Sequence, residues 1–141
     1  MTAEHTSPSL HHVVFAVAPN RHDIVARFFN DLGFALQPGE LTEAGLRIAL
    51  DWDRGIELIS PIPGSTGAVA ASVNEFLETN GDGIYTVVVR VPTASDAEAV
   101  AERHGAAVRF RQRLQGSGTH LEEIDLSVFG LPLTLLDTNL P

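Results

Sequence analysis

The sequence has no cysteine and no lysine, because all nine of its cations are arginines. The absence of cysteine excludes disulfides, thiolate nucleophiles and cysteine-ligated metal sites. The absence of lysine excludes Schiff-base chemistry and a lysine general base. With 18 acidic residues the formal charge is −9, which argues against a nucleic-acid partner, since that partner requires a basic face.

Long apolar runs are also absent. The longest uncharged stretch, residues 58–74, is interrupted by prolines and glycines and is shorter than the roughly 20 residues of a membrane-spanning helix. Residues 1–8 include Glu4 and no apolar run, so no signal peptide is predicted. We therefore expect a cytoplasmic protein without a membrane contact. Its 141 residues are enough for one domain or two fused halves with a buried core.

Hydrophobic periodicity predicts eight strands and three helices. The first long helix should be capped by Asn20 and end at Gly33. Ser95 and Glu98 have the spacing of a capping box, which predicts the start of a third helix. The predicted strands are 11–17, 34–37, 46–52, 56–60, 84–91, 108–114, 121–128 and 131–137, and the predicted helices are 20–32, 68–79 and 95–104.

The predicted elements repeat. Two βαβββ series are joined by the middle helix. Gly33 and Gly105 end the corresponding helices 21 and 19 residues after His12 and Thr86. Such an α+β chain would form two tandem modules, whose curved mixed sheets surround a cleft and whose helices lie outside. The predicted boundaries are an N-terminal tail (1–10), a first module (11–64), a connecting helix and loop (65–82) and a second module (83–141).

Five segments, in this order and spacing, resemble the vicinal oxygen chelate superfamily, which includes glyoxalase I, methylmalonyl-CoA epimerase and the bleomycin resistance proteins. The segments are HVVFAV (12–17), FFNDLGF (28–34), GLRIAL (45–50), IEL (56–58) and GDGIYT (81–86). The similarity covers nearly the whole chain. It implies the tandem fold described above, a small-molecule ligand and a homodimer.

In the metal-using members of that superfamily, four inward side chains hold a divalent ion, and the resemblance places them here at His12, Glu57, Thr86 and Thr134. The two threonine hydroxyls are neutral, weak donors and cannot replace a histidine and a carboxylate. Ile48 stands where the epimerases have a catalytic glutamate. We therefore expect no cofactor. A divalent metal would need an altered site, in which an acid from residues 122–125 joins His12 and Glu57.

Glu57 is the strongest candidate for a catalytic residue. Apolar residues flank it on its strand, and a carboxylate in an apolar cleft can act as a base. His12 should share the cleft as a proton acceptor, a ligand contact or a hydrogen-bond partner of Glu57. The alternatives are a carboxylate paired with an arginine or facing water, and a histidine that only fills the core.

Three further residues are candidate ligand contacts. Thr86 and Thr134 could line the cleft, although both are also good strand formers. Arg90 shares the face of Thr86 and suits a ligand carboxylate or phosphate, but an ion pair with a neighbouring acid is the slightly favoured alternative.

The hairpin of residues 108–128 allows two orientations. In the first, Arg111 lies near Glu123 and Arg109 near Asp125, and the favoured interpretation is an exposed ladder of opposite charges on a solvated face. If Ile124, Leu126 and Val128 pack under the helix, then Glu123, Asp125 and Ser127 face the cleft, where they would be ligand contacts or a replacement acid. The second orientation turns His120 and Glu122 inward. A shift of one residue exchanges the two faces.

Two functions follow from these residues. In the first, the chain is an isomerase or lyase in which Glu57 moves a proton next to a carbonyl, with help from His12, while Thr86 and Thr134 bind the enolate oxygen. In the second, the chain sequesters a ligand without chemistry, as the bleomycin resistance proteins do. The loss of two metal ligands favours the second function, and the survival of the acid and the histidine together favours the first.

Overall fold

The computed structural model of the chain describes residues 7–140. It contains eight strands and three α-helices, and the chain divides into two compact units. The first unit is His12–Tyr85, and the second comprises residues 7–11 and 86–140 of the described chain. Residues 1–6 of the predicted tail lie outside the described residues. The elements are β1 (Ser9–Ala16), α1 (His22–Leu32), β2 (Gln37–Leu41), β3 (Leu46–Asp51), β4 (Ile56–Pro61), α2 (Ala68–Asn80), β5 (Gly83–Arg90), α3 (Ala94–Arg103), β6 (Ala107–Gly116), β7 (Thr119–Val128) and β8 (Leu131–Thr138).

Each unit contains one βαβββ module, so the α+β class and the tandem duplication are confirmed. In the first module the strands lie in the order β2-β3-β4-β1, with β1 parallel to β4 and the other pairs antiparallel. In the second module the order is β5-β8-β7-β6, with β5 parallel to β8. The two modules therefore have the same strand order and the same mixture of strand directions.

The second strand of the first module begins later than its prediction. The segment 34–36 is not a strand, because the Ala35 N–H donates to Asp51 Oδ2 (2.9 Å) and the Leu36 N–H donates to Asn30 Oδ1 (2.9 Å). The strand is β2, which includes Pro38, a residue expected in a turn. Since β2 is bonded only to β3 in its module, an edge position tolerates a proline that has no N–H.

Two of the predicted helix caps are wrong. Asn20 lies inside a short 3₁₀ turn before α1 and makes no capping bond. The capping box does not form, because α3 begins at Ala94 and Ser95 lies inside the helix, while Glu98 binds Arg111. Instead, the first N–H of α3, on Ala94, donates to the Asp137 carboxylate of β8 (2.9 Å). A tertiary contact therefore replaces the local one.

The stop signal at Gly33 is confirmed. Gly33 has φ 116° and its N–H donates to Asn30 O (3.0 Å). The left-handed region is costly for side-chain-bearing residues and open to glycine.

His22 begins α1 as a buried, neutral side chain. It is 2% exposed, and its Nδ1 lies 2.8 Å from Ser60 Oγ. Because the Ser60 hydroxyl donates its single proton to Val17 O (2.7 Å), His22 Nδ1–H is the donor. Burial lowers the pKa of His22 below 6.5, the Arg47 charge lowers it further, and Asp23 partly opposes the shift.

We expect this histidine to make stability dependent on pH. Since its pKa is lower in the folded state, the unfolded chain binds more protons below pH 6.5. The free energy of unfolding should be highest above that pH and fall on acidification by up to about 1.4 kcal/mol per pH unit, until the folded pKa is passed. Urea titrations between about pH 5 and 8 measure the slope.

His22→Gln should remove that contribution to the slope, whereas His104→Gln, at an exposed position, should leave the slope as in the wild type. An unchanged slope in His22→Gln would contradict the assignment.

Candidate active site

His12 and Glu57 form a buried pair in the first module. His12 Nε2 lies 2.9 Å from Glu57 Oε1, and the two side chains are 1% and 14% exposed. Strand alternation brings them together, because His12 lies on the buried face of β1 and β1 runs parallel to β4 in the register Val14↔Glu57. Since an ionised carboxylate only accepts hydrogen bonds, Nε2–H of His12 is the donor.

Trp52 belongs to the same group. Its Nε1–H donates to Glu57 Oε1 (3.4 Å), and its ring stacks on the His12 imidazole at 5.3 Å between centroids with an interplanar angle of 28°. As the one tryptophan of the sequence, Trp52 could flank the mouth of the cleft or, as is commoner for a single aromatic residue, only pack. Trp52 follows β3 directly and lies five residues before Glu57. Because a partly buried indole N–H requires an acceptor, this position indicates a hydrogen bond to the Glu57 carboxylate.

Glu57 is thereby fixed through one of its two oxygens. Oε1 accepts from both His12 and Trp52, and Oε2 has no hydrogen-bond partner among residues 7–140. A carboxylate held on one side by two donors has its second oxygen available to a ligand. This is the geometry of a positioned proton acceptor or of a polar ligand contact.

Thr86 and Thr134 are the counterparts of this pair in the second module. Their hydroxyl oxygens are 3.0 Å apart, and each residue is 5% exposed. The register Val88↔Thr134 between β5 and β8 repeats the register Val14↔Glu57 between β1 and β4. One hydroxyl proton is used between the two threonines, and the second can be donated elsewhere.

The four counterpart positions do not form a suitable set of metal ligands. Two of them are hydroxyls bonded to each other, and His12 already donates to the carboxylate of Glu57. In the part of the chain that the structure describes, no three His, Asp or Glu side chains are grouped so that they could hold a metal. Zinc and similar ions prefer imidazole and carboxylate ligands, so the resident residues do not fit the four-ligand site.

The structure decides between the two orientations of β7. Ile124 and Leu126 are buried in the cluster that contains Ala94 of α3. Glu123, Asp125 and Ser127 therefore occupy the opposite face of the strand. Asp125 is the register partner of Thr134, so its carboxylate lies on the sheet face of the threonine pair.

Only part of the predicted charge ladder is present. Arg109 pairs with Asp125 (2.5 Å), as expected, and Arg113 pairs with Glu122 (3.0 Å). Arg111 does not meet Glu123 but binds Glu98 of α3. The reason is a register shift in β6 between Val108 and Phe110, after which Arg111 faces Ile124 on the helix side.

Asp125 is a perturbed acid on this face. Burial raises the pKa of the Asp125 carboxyl above 3.8, and Arg109 partly offsets the shift by its charge and hydrogen bonds. Such an environment favours roles in proton transfer or ligand contact. The predicted ligand roles of Glu123, Asp125, Thr86 and Thr134 stay predictions.

Arg90 makes no ion pair with any residue in the range 7–140, contrary to the favoured alternative. It is 8% exposed, and its Nη2 donates to the carbonyls of Thr138 (2.8 Å) and Leu140 (2.6 Å). Its buried Nε has no partner among the same residues. Arg90 therefore fixes the C-terminal segment, and its predicted contact with a ligand anion would depend on Nε.

Comparison with known proteins supports the fold through structure alone. No protein-family model matches the chain, and no curated protein sequence matches it. Among solved structures, a hypothetical protein from Bacillus halodurans C-125 is 18% identical, with a TM-score of 0.69, and the match covers 96% of this chain and 97% of that one.

Two methylmalonyl-CoA epimerases are also similar. The Mycobacterium tuberculosis enzyme is 23% identical (TM-score 0.63, covering 91% of this chain and 86% of that one). The Streptomyces coelicolor enzyme, in complex with 2-nitronate-propionyl-CoA, is 18% identical (TM-score 0.65, covering 93% and 97%). The chain has the vicinal oxygen chelate fold, as its sequence resemblance predicts.

No helix within residues 7–140 has the length and hydrophobicity to span a membrane.

Proposed function

We propose that the chain is a small-molecule enzyme of the isomerase or lyase class, and that Glu57 moves a proton on the carbon next to a carbonyl group. The observation that carries the proposal is the anchored carboxylate, in which Oε1 is held by His12 and Trp52 and Oε2 has no partner among the described residues. General bases of this kind need a fixed position and one oxygen within reach of the substrate proton.

His12 and Trp52 act in this proposal through Glu57. Both donate to the same oxygen, so they stabilise the ionised base and set the direction of Oε2. Because Glu57 is only 14% exposed, its interactions with a bound substrate would be weakly screened by water. Similarity to epimerases supports the reaction class. Because Ile48 stands where the resemblance places the epimerases' catalytic glutamate, the proposal assigns proton transfer to Glu57.

Solvent exchange tests the proposal without knowledge of the natural substrate. The chain should catalyse incorporation of deuterium from D₂O at the carbon next to the carbonyl in at least one member of a panel of ketones, 2-oxo acids and acyl thioesters, measured by ¹H NMR. Because the site residues do not form a metal site, dialysis against EDTA should leave the exchange rate unchanged. Exchange that disappears with EDTA, or no exchange across the panel, would count against the mechanism.

The second candidate function is sequestration of a ligand in the manner of a resistance protein. The observation that favours it is the Thr86–Thr134 pair, which replaces two metal ligands with hydroxyls that can bind but not ionise. In that case a bound carbonyl compound would be recovered chemically unchanged and without deuterium after long incubation.

In either case we expect the chain to act as a homodimer, as the resemblance implies.

A further inference from the structure

The two modules can be compared residue by residue at the ends of their helices. After α1, the Phe34 N–H donates to Phe29 O (3.1 Å), and after α3, the Ala106 N–H donates to Ala101 O (3.1 Å). The glycine between them has a positive φ in both modules. Ala101 is therefore the counterpart of Phe29, and Ala106 is the counterpart of Phe34.

In the first module, aromatic rings fill the space between helix and sheet. The Phe29 ring lies 5.8 Å from the Phe15 ring and 5.7 Å from the Phe34 ring. Phe15 and Phe29 pack against a buried cluster that contains Leu58. The ring of Phe29 is the central member, because it contacts both of the others.

The second module has no ring at any of these three places. Phe15 is paired in register with Leu58, and Val89 with Leu135, so Val89 is the counterpart of Phe15. The three phenyl groups of the first module thus correspond to one valine and two alanines. A loss of this much side-chain volume leaves a void unless the helix moves onto the sheet.

A cavity of about 490 Å³ lies beside α3 in the second module. Its lining includes Ala97 and Ala101 of α3 and Leu133 and Leu135 of β8. The volume lies within the range of about 300–1,000 Å³ that small-molecule sites occupy. Of the three positions that lost a ring, Ala101 lines the cavity, whereas Val89 and Ala106 pack against the buried cluster that contains Leu126.

Two rings lie at the end of the cavity. Phe129 and His104 both line it, with their centroids 5.9 Å apart. Phe129 is 75% exposed and is the one non-glycine residue with a positive φ (55°) in the described part of the chain. This conformation is uncommon for a bulky residue, and it presents a phenyl ring that a bound molecule would cover.

We propose that the second module binds a small, apolar, ring-containing molecule in this cavity, with the ring beside Ala101 where the first module has its own phenyl group. The site uses none of the residues of the His12–Glu57 pair, so it goes beyond the proposed function. Aromatic contacts with Phe129 and His104 would orient the ring through offset or edge-to-face packing.

Indole is a suitable probe, because it is a soluble aromatic molecule of the size of the missing rings. Titration of the full chain, followed by ¹H–¹⁵N NMR, should give saturable shifts centred on α3 and the β7–β8 turn. Ala101→Phe, which supplies the side chain of the first module, should weaken indole binding at least about tenfold, because the introduced ring occupies the site. No saturable binding to the wild type would overturn the proposal.

Ala99→Phe is the matched control, since Ala99 is on the same helix at an exposed position and does not line the cavity. It should bind indole as the wild type does. Equal binding by Ala101→Phe and the wild type would overturn the proposal. So would concentration-dependent self-association that blocks indole, because a second copy would then be the occupant.

Two further measurements keep the test decisive. If Ala101→Phe does not fold, crystals of the wild type under xenon pressure should show xenon beside Ala101, and a dry, unfilled cavity there would refute the site. Glu57→Gln should retain full indole binding, so failure of the proposed function and failure of this site are distinguishable.

Discussion

Glu57→Gln is expected to lower the rate of solvent exchange by about 10²–10⁴-fold, the usual contribution of a general base. The substitution preserves the shape of the side chain, and the amide oxygen can still accept from His12 and Trp52. The group at the position of Oε2 becomes an NH₂, which cannot take a proton. The loss should therefore appear in turnover and not in the fold. Exchange rates by NMR measure the turnover, and far-UV circular dichroism checks that the fold is retained.

Glu40→Gln is the matched control, because Glu40 lies on the exposed edge strand β2. It should exchange protons at the wild-type rate. If Glu57→Gln exchanged as fast as Glu40→Gln, the base would have to be another group, and Asp125 would be the next candidate because burial raises its pKa. A loss of folded structure in Glu57→Gln would instead show that the pair is structural.

The resemblance to the vicinal oxygen chelate superfamily placed His12 and Glu57 in one site, and the strand geometry is consistent with that placement. Alternation along β1 fixes the face of His12, and the parallel pairing of first and last strands follows from the βαβββ order. Thr86 and Thr134 were placed by the same resemblance, at the positions of the other two metal ligands. The hydrogen bond from Trp52 to Glu57 was not predicted, because Trp52 lies beyond the last residue of β3, where alternation no longer specifies a direction.

The errors in the fold have a common physical origin in long-range contacts. The capping box at Ser95 is a local rule, but Glu98 is attracted to an arginine on β6 and the N–H of Ala94 is bonded by Asp137. Pro38 is a turn signal in isolation, but an edge strand accommodates it. In each case a partner distant in sequence competes with the local preference and is the stronger interaction.

The sequence did not decide which side chains of β7 point toward α3, and the reason is similar. Both faces of the hairpin carry charges, so hydrophobic alternation alone was weak evidence for its register. The alanine-lined side of α3 decides it, because Ile124 and Leu126 pack there with Ala97 and Ala101. Small residues on a helix allow close approach of a sheet, and this preference appears only when helix and strand are considered together.

The duplication has diverged in opposite ways in the two modules. The first has ionisable groups at His12 and Glu57 and phenyl rings packed against its core, whereas the second has hydroxyls at Thr86 and Thr134 and an apolar cavity lined in part by Ala101. In these two proposals, the first module supplies the group that transfers a proton, and the second supplies the space that binds an apolar molecule.

Core truncations at equivalent positions should measure this difference. Leu58, fully buried among the rings of the first module, corresponds to Leu135, which lines the cavity of the second. Leu58→Ala should reduce the free energy of unfolding by about 2–5 kcal/mol, since it leaves a new void in a packed core.

Leu135→Ala should cost clearly less than Leu58→Ala, because a side chain beside an existing cavity has fewer contacts to lose. Urea titrations followed by circular dichroism give both values, and Leu114→Ala on the exposed face of β6 should change stability by no more than about 0.5 kcal/mol. Equal losses at Leu58 and Leu135 would mean that the second core is as tightly filled as the first. The space beside Ala101 would then be too small for a guest, and the division of roles between the modules would have to be abandoned.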